Sequence, residues 1–221
     1  MKKKRITAAL LALGLSAVTI CSQLPVFAAE ETAQATDTAA QPQTADPSVV
    51  TTNGIDGWPQ ASDISSTAAI VMETSTNTVL YSKNADQALY PASAVKVMTC
   101  LVALENSSLD DQVTMTATGV SGVTDGGANI SSQLDEVFTM EQCLYAIMVA
   151  SANDIALQVA EHVGGSVDAF VQTMNTRAQE LGCTNTVFTN PTGLPDENQH
   201  ITAHDMALIM EAAMANKTFR T

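Results

Sequence analysis

The sequence predicts a mixed α/β domain in which an antiparallel β-hairpin comes first and helices follow. Two short apolar runs, at 68–72 and 79–81, flank a turn at 75–77, where Asn77 tolerates a left-handed backbone. Beyond the hairpin, apolar residues recur at helical spacing behind residues that cap helices. With 221 residues, 46% of them hydrophobic, the chain can bury one substantial core.

Five helices are expected after the hairpin. Thr139 and Gln142 have the spacing of a capping box, Ser166 and Thr202 are N-cap residues, and Gly182 is a stop signal. The predicted helical segments are 93–105, 140–149, a segment through 155–160, 167–181 and 203–214.

Residues 1–28 have the pattern of a secretory signal peptide. Four basic residues at 2–5 precede an apolar run at 6–20, and Ala28 is a small residue at a suitable cleavage position. The run is short for a membrane span of about 20 residues, so a retained anchor is the weaker alternative. Residues 29–58 are rich in Ala, Thr, Gln, Asp and Pro without apolar periodicity, which predicts an acidic, disordered linker before a domain at 59–221.

Charge and cysteine content narrow the function classes. Removal of residues 1–28 would leave 5 basic against 23 acidic residues, a net charge of −18, which argues against a nucleic-acid partner. Cys100, Cys143 and Cys183 lie among apolar neighbours and are odd in number, so buried free thiols are predicted rather than disulfides. The three histidines fit neither a metal site nor a catalytic triad by their spacing, and no metal is expected.

Ser93 and Lys96 form the first candidate catalytic pair. Three residues apart at a helix start, they lie on one face within hydrogen-bonding reach. A buried lysine has a lowered pKa and can accept a serine proton, while backbone N–H groups at the helix start could stabilise an oxyanion. A Ser and a Lys on one exposed helix face are the simpler alternative.

Ser151 and Asn153 form the second candidate. They fall at the break between two apolar helices, where a short loop would present a hydroxyl and an amide to a cleft. The Ser-x-Asn pattern is weak alone, since it also occurs at 75–77 and 82–84. A catalytic role for Ser151 and Asn153 therefore needs support from the order of the motifs along the chain and from the residues around them.

In that context the sequence resembles the low-molecular-weight penicillin-binding D-alanyl-D-alanine carboxypeptidases over about residues 64–221. The resemblance is carried by a series of short matches in order. They include Pro91-Ala92-Ser93, Lys96, Met98-Thr99, Ser151-Ala152-Asn153-Asp154, Asn190-Pro191-Thr192-Gly193-Leu194, Thr202-Ala203 and Asp205-Met206-Ala207.

The resemblance implies the penicillin-binding transpeptidase/β-lactamase-like fold, an antiparallel sheet with helices on both faces. It also implies that Ser93 forms an acyl-enzyme with peptidoglycan stem peptides, that Lys96 is its base and that Ser151 relays a proton. Asn153 would bind the substrate amide. β-Lactams would acylate the same serine, no cofactor is implied, and the enzyme would be exported, with membrane association only through a later segment.

Two departures from the family pattern are visible. Ala152 stands where glycine is common, which reduces backbone freedom. The third family motif, Lys-Thr-Gly on a strand lining the cleft, is expected after the residues printed here, so the domain is expected to be incomplete. Lys217-Thr218-Phe219 is not that motif, and Lys217 is interpreted as a lysine at a helix end.

Two other functions stay open at this point. A β-lactamase shares the first two motifs but needs a carboxylate for deacylation, and Glu180 and Glu197 are the only downstream glutamates worth considering. A catalytically incomplete fragment or wall-binding module would also lack Lys-Thr-Gly. The gene sequence beyond the codon for Thr221 discriminates this last alternative.

Overall fold

A computed structural model describes residues 49–50, 57, 64–123 and 127–221, which form a mixed arrangement of helices and strands. The predicted signal peptide and nearly all of the predicted linker lie outside the described residues. The hairpin precedes the helices, as the sequence predicts, but two further strands, Gln112–Thr114 and Val137–Thr139, lie between helices and were not predicted.

The predicted hairpin forms one side of a three-stranded antiparallel sheet. Strands β1 (Val49–Val50), β2 (Ala69–Glu73) and β3 (Thr78–Lys83) lie in the order β1-β3-β2. Asn77 has φ 54°, so it adopts the left-handed turn conformation that was predicted. The helix Ala203–Ala215 packs against β2, which attaches this sheet to the helical part of the domain.

A second sheet has two strands. Strands β4 (Gln112–Thr114) and β5 (Val137–Thr139) pair antiparallel, and β5 leads directly into the next helix. Isolated bridges join Leu89 to Ile201 and Val187 to His200. The first of these bridges joins the segment before Ser93 to the segment after Gly193.

Seven helices are present among the described residues, with a 3-10 turn before the first. The turn is Ala92–Ala94, and the helices are α1 (Val95–Asn106), α2 (Ala117–Ser121), α3 (Met140–Ala150), α4 (Asn153–Gly164), α5 (Val167–Glu180), α6 (Ala203–Ala215) and α7 (Lys217–Arg220).

Helix α1 is the centre of the domain. All nine residues from Val95 to Ala103 are buried, and seven of them are apolar, the exceptions being Lys96 and Thr99. It contacts α3, α4, α5, α6 and α7, and its two faces contribute to two apolar clusters. One cluster includes Phe170 and Ile209, and the other includes Met140 and Ile155. Residues at the start of α1 are therefore rigidly placed.

The local signals for helix ends are confirmed. Thr139 and Gln142 form a complete capping box, and the Ser166 and Thr202 side chains accept N–H groups in the first turns of α5 and α6. Gly182 follows α5 with φ 86°. The interpretation of Lys217 was wrong in detail: α6 ends at Ala215, and the exposed Lys217 begins the separate short helix α7.

The cysteines at 100, 143 and 183, which lie in the described part of the chain, are free thiols, as predicted. Cys100 and Cys143 are buried and Cys183 is half-buried. Burial raises the pKa of each thiol to about 12, so all three are protonated at neutral pH. None of the helices in the described part of the chain is both long and apolar enough to cross a membrane.

Candidate active site

Ser93 lies at the tip of a tight turn that leads into α1. Pro91 O accepts the Ala94 N–H over 3.2 Å, and Ala92 between them has φ 46°, a conformation that alanine rarely adopts. The turn exposes the Ser93 hydroxyl at the start of the buried helix. Because the Ala94 N–H is already bonded, it is not among the helix-start amides that are free to stabilise an oxyanion.

Lys96 extends from the first turn of α1 and is only 3% exposed. Its Nζ donates to Thr192 O over 2.6 Å, to Asn153 Oδ1 over 2.7 Å and to Ser93 Oγ over 3.2 Å. An ammonium group has three N–H donors, so each of the three acceptors receives one. The predicted pairing of Ser93 with Lys96 is present in the structure.

Burial lowers the pKa of Lys96 from its ordinary value to about 8. The charged form loses its hydration in this position, and no carboxylate bonds to Nζ among the three partners to compensate. A substantial fraction of Lys96 is therefore neutral in weakly alkaline solution. A neutral amine is the state that can accept a proton from serine.

The neighbours of Lys96 also set the direction of its lone pair. Neutral lysine has two N–H groups and one lone pair. The Thr192 carbonyl and the Asn153 Oδ1 can only accept hydrogen bonds, so they keep the two N–H groups. The lone pair is then left facing Ser93 Oγ, which is the orientation that a general base needs.

Ser151 reaches the same hydroxyl from the opposite helix. Its Oγ donates to Ser93 Oγ over 2.9 Å, and its left-handed backbone, φ 55°, ends α3 and turns the chain towards α4. Ala152 has φ −64° and is fully buried, so this position needs no glycine. The left-handed conformation is required one residue earlier, which explains why alanine fits here.

Asn153 is the first residue of α4 and is 4% exposed. Its backbone N–H donates to Ala128 O over 2.8 Å. A Cβ added to Gly127 would collide with the Asn153 amide nitrogen, so the glycine allows this loop to approach the site closely. The Asn153 side chain thus lies between Lys96 and the 127–129 loop.

The Asp154 carboxylate binds the residues that follow this loop, Ile130 and Ser132. It is 3% exposed and accepts the Ser132 N–H over 3.1 Å, the Ser132 hydroxyl over 2.8 Å and the Ile130 N–H over 3.3 Å. Its own helix adds the Ile155 N–H at 3.0 Å. Three backbone N–H groups and one hydroxyl thus donate to this carboxylate, so its burial is compensated by hydrogen bonds from the protein.

A turn at 190–194 closes the third side of the site. The Asn190 Oδ1 accepts the Thr192 and Gly193 N–H groups and the Thr192 hydroxyl, an arrangement that fixes the turn internally. Gly193 has φ 82°, and a Cβ there would lie 2.9 Å from Ser93 N and even closer to the Ala92 carbonyl. The turn therefore lies directly on the peptide that precedes the Ser93 side chain.

All four residues named from the sequence, Ser93, Lys96, Ser151 and Asn153, are brought together. The Thr192 carbonyl was missed, because a backbone group leaves no signal in residue type. Thr99 entered the sequence prediction only through the family resemblance. Its position three residues after Lys96 is the signal that predicts it on the same helix face. Among the described residues no group of three His, Cys, Asp or Glu side chains is arranged to hold a metal.

The chain is similar to a known protein family and to curated proteins within it. Residues 56–220 match the peptidase S11 family, described as D-alanyl-D-alanine carboxypeptidase. A curated relative, D-alanyl-D-alanine carboxypeptidase DacF of Bacillus subtilis, is 38% identical over 147 residues, which cover 64% of this chain and 37% of the relative. The chain thus spans well under two thirds of that protein.

Two solved structures confirm the predicted fold. Penicillin-binding protein 5 of Haemophilus influenzae has a TM-score of 0.67 at 31% identity, covering 72% of this chain and 47% of that one. A D-alanyl-D-alanine carboxypeptidase of Mycobacterium tuberculosis has a TM-score of 0.68 at 32% identity, with coverage of 74% and 61%. The chain therefore belongs to the peptidase S11 family, the D-alanyl-D-alanine carboxypeptidases.

Proposed function

We propose that the protein is a serine D-Ala-D-Ala carboxypeptidase that removes the terminal D-alanine from peptidoglycan stem peptides through an acyl-enzyme on Ser93. The observation that carries the proposal is the position of Lys96 Nζ, which contacts Ser93 Oγ while two acceptors hold its N–H groups. Membership of the family supplies the substrate class.

In the first half-reaction Ser93 Oγ attacks the carbonyl carbon between the two terminal D-alanines. Its proton passes to Lys96 Nζ as the Oγ–C bond forms. The C–N bond then breaks as the leaving amine takes a proton from the Ser151 hydroxyl, which is 2.9 Å from Ser93 Oγ. Ser151 regains that proton from Lys96, which is then neutral again. Free D-alanine leaves and the rest of the peptide stays bound to Ser93 as an ester.

In the second half-reaction water attacks that ester. Lys96 again takes a proton, and Ser93 Oγ leaves with a hydrogen restored to it. Asn153 supports both steps, because its Oδ1 orients Lys96 and its amide N–H groups lie on the side of the 127–129 loop, where substrate amide groups would bind. All of these steps use side chains of the chain itself.

The sequence supports an extracytoplasmic location for this activity. We propose that residues 1–28 are an export signal and 29–58 a linker, so that residues 59–221 belong to a catalytic domain outside the cytoplasm, where stem peptides are present. The same serine would be acylated by β-lactams. Nucleic acid is not proposed as a partner, because the exported chain would carry a net charge of −18.

A peptide-release assay tests the proposal. The purified protein is incubated with a short peptide ending in D-Ala-D-Ala, and free D-alanine is measured; a peptide ending in D-Ala-L-Ala is the control. Release from the first peptide that disappears in Ser93→Ala is the expected result. A protein that binds the peptide without releasing D-alanine would be a wall-binding module, and this outcome would overturn the proposal.

A further inference from the structure

Thr99 occupies a position on α1 that the proposed mechanism has not used. It is fully buried, one turn after Lys96 on the same helix face. Its hydroxyl donates to Pro191 O over 2.8 Å, while Lys96 Nζ donates to Thr192 O over 2.6 Å. Two side chains of one helix turn therefore bind two consecutive carbonyls of the 190–194 turn.

This double attachment fixes the orientation of the peptide between Pro191 and Thr192. A single hydrogen bond would let the Thr192 carbonyl swing about the contact, whereas a second bond to the neighbouring carbonyl removes that freedom. The Thr99 hydroxyl is also 3.5 Å from Val95 O within its own helix, a longer and weaker contact than the one to Pro191 O. The bond to the turn is therefore its main interaction.

The orientation of the Thr192 carbonyl matters for the chemistry at Lys96. If that carbonyl moved away, one Lys96 N–H would lose its acceptor and the amine could rotate. Its lone pair would then no longer be held towards Ser93 Oγ. Gly193, which lies against the Ala92–Ser93 peptide, would move with the same turn.

We propose that Thr99 is a positioning residue for the nucleophile and base: by holding Pro191 O it fixes the Thr192 carbonyl and, through it, the lone pair of Lys96. This inference rests on the proposed Ser93 acylation. It concerns the rate of bond formation rather than the binding of substrate, since Thr99 is buried beneath the turn and has no surface exposed to a ligand.

The test measures acylation by a fluorescent penicillin in rapid-mixing experiments, which separate the reversible dissociation constant from the acylation rate constant. Thr99→Val keeps the side-chain shape and removes the donor, whereas Thr99→Ser keeps the hydroxyl. Thr186→Val is the control, because Thr186 also donates a short hydroxyl bond, to Asp205 Oδ2 over 2.7 Å, and Asp205 lies in the first turn of α6 rather than at the 190–194 turn.

For Thr99→Val we expect the acylation rate constant to fall about 10- to 100-fold, with the dissociation constant changed by less than about threefold. Thr99→Ser should recover most of the rate, and Thr186→Val should acylate like the wild type even if it unfolds at lower temperature. Loss of the rate in Thr186→Val to the same extent, or no loss in folded Thr99→Val, would overturn the inference.

If Thr99→Val does not fold, Asn190→Ala decides the question, because it loosens the same turn without touching the core of α1. A fall in the acylation rate constant at unchanged dissociation constant supports the inference, and an unchanged rate constant contradicts it. Failure of the wild type itself to be acylated would instead refute the proposed function. The two failures are therefore distinguishable.

Discussion

Gly193 lies against the carbonyl of Ala92, so closely that no side chain larger than hydrogen fits between the 190–194 turn and the residue before Ser93. Gly193 also has φ 82°, which disfavours other residues independently of the contact. The two effects can be separated, because Gly165 has a similar φ of 73° but an added Cβ there would meet nothing within 4 Å.

Gly193→Ala is therefore predicted to harm the protein more than Gly165→Ala. The left-handed backbone alone should reduce the free energy of unfolding by about 1 kcal/mol in both variants. The collision with Ala92 should add about 1–3 kcal/mol in Gly193→Ala and displace Ser93. Denaturant unfolding and penicillin acylation of both variants check this. Equal behaviour of the two variants would show that the contact with Ala92 is unimportant.

The acylation rate is predicted to depend on pH through Lys96. Burial lowers the pKa of Lys96 to about 8, and only the neutral amine can accept the Ser93 proton. The rate constant should therefore rise about tenfold per pH unit below pH 7 and level off above about pH 9. Rapid-mixing acylation between pH 6 and 10 measures it. A profile that still rises at pH 10 would indicate a lysine with its ordinary pKa.

The same pKa predicts a pH dependence of stability. The unfolded chain keeps a proton on Lys96 up to about pH 10.5, whereas the folded protein releases it near pH 8. Between these values the unfolded state binds more protons, so the lysine makes stability increase with pH, by up to about 3 kcal/mol. Lys96→Met lacks this contribution to the free energy of unfolding. The difference in unfolding free energy between wild type and variant therefore separates the effect of Lys96 from the opposing titration of the cysteines. A constant difference across this range would contradict the prediction.

Asp154 is predicted to order the loop that borders Asn153. Asp154→Ala removes the acceptor of the Ile130 and Ser132 N–H groups and should cost about 2–4 kcal/mol of unfolding free energy. Hydrogen exchange should then accelerate at these two amides. Asp205→Ala is the matched control, because Asp205 is equally buried and accepts the Thr184 and Asn185 N–H groups elsewhere. Faster exchange at 130 and 132 in both variants would point to general loosening.

The helix ends could be predicted from the sequence because their signals are local. The capping box of Thr139 and Gln142 joins groups three residues apart, and Ser166 and Thr202 each bind an N–H three residues on. Asn77 likewise carries its turn preference in its own side chain. Lys217 was misplaced because a single residue, Asn216, caps a new helical turn where the sequence pattern shows only the end of α6.

The sequence predicted the side chains of the candidate site but not its backbone contacts. Ser93 and Lys96 are close in sequence, and the family resemblance joined them to Ser151 and Asn153. The contacts of Lys96 with Thr192 O and of Ala92 with Gly193 join segments about a hundred residues apart through backbone atoms. Such contacts depend on how α1 packs against the 190–194 turn, and residue type does not encode them.

Ser93 is proposed to be the nucleophile of an acyl-enzyme. Mass spectrometry of the protein after incubation with penicillin tests it most directly. We predict a mass increase equal to one penicillin, located by peptide mapping on Ser93 and absent in Ser93→Ala. Ser151→Ala should still form the adduct, but about 10- to 1,000-fold more slowly. An adduct on another residue, or an equal adduct in Ser93→Ala, would contradict the assignment of Ser93 as the nucleophile.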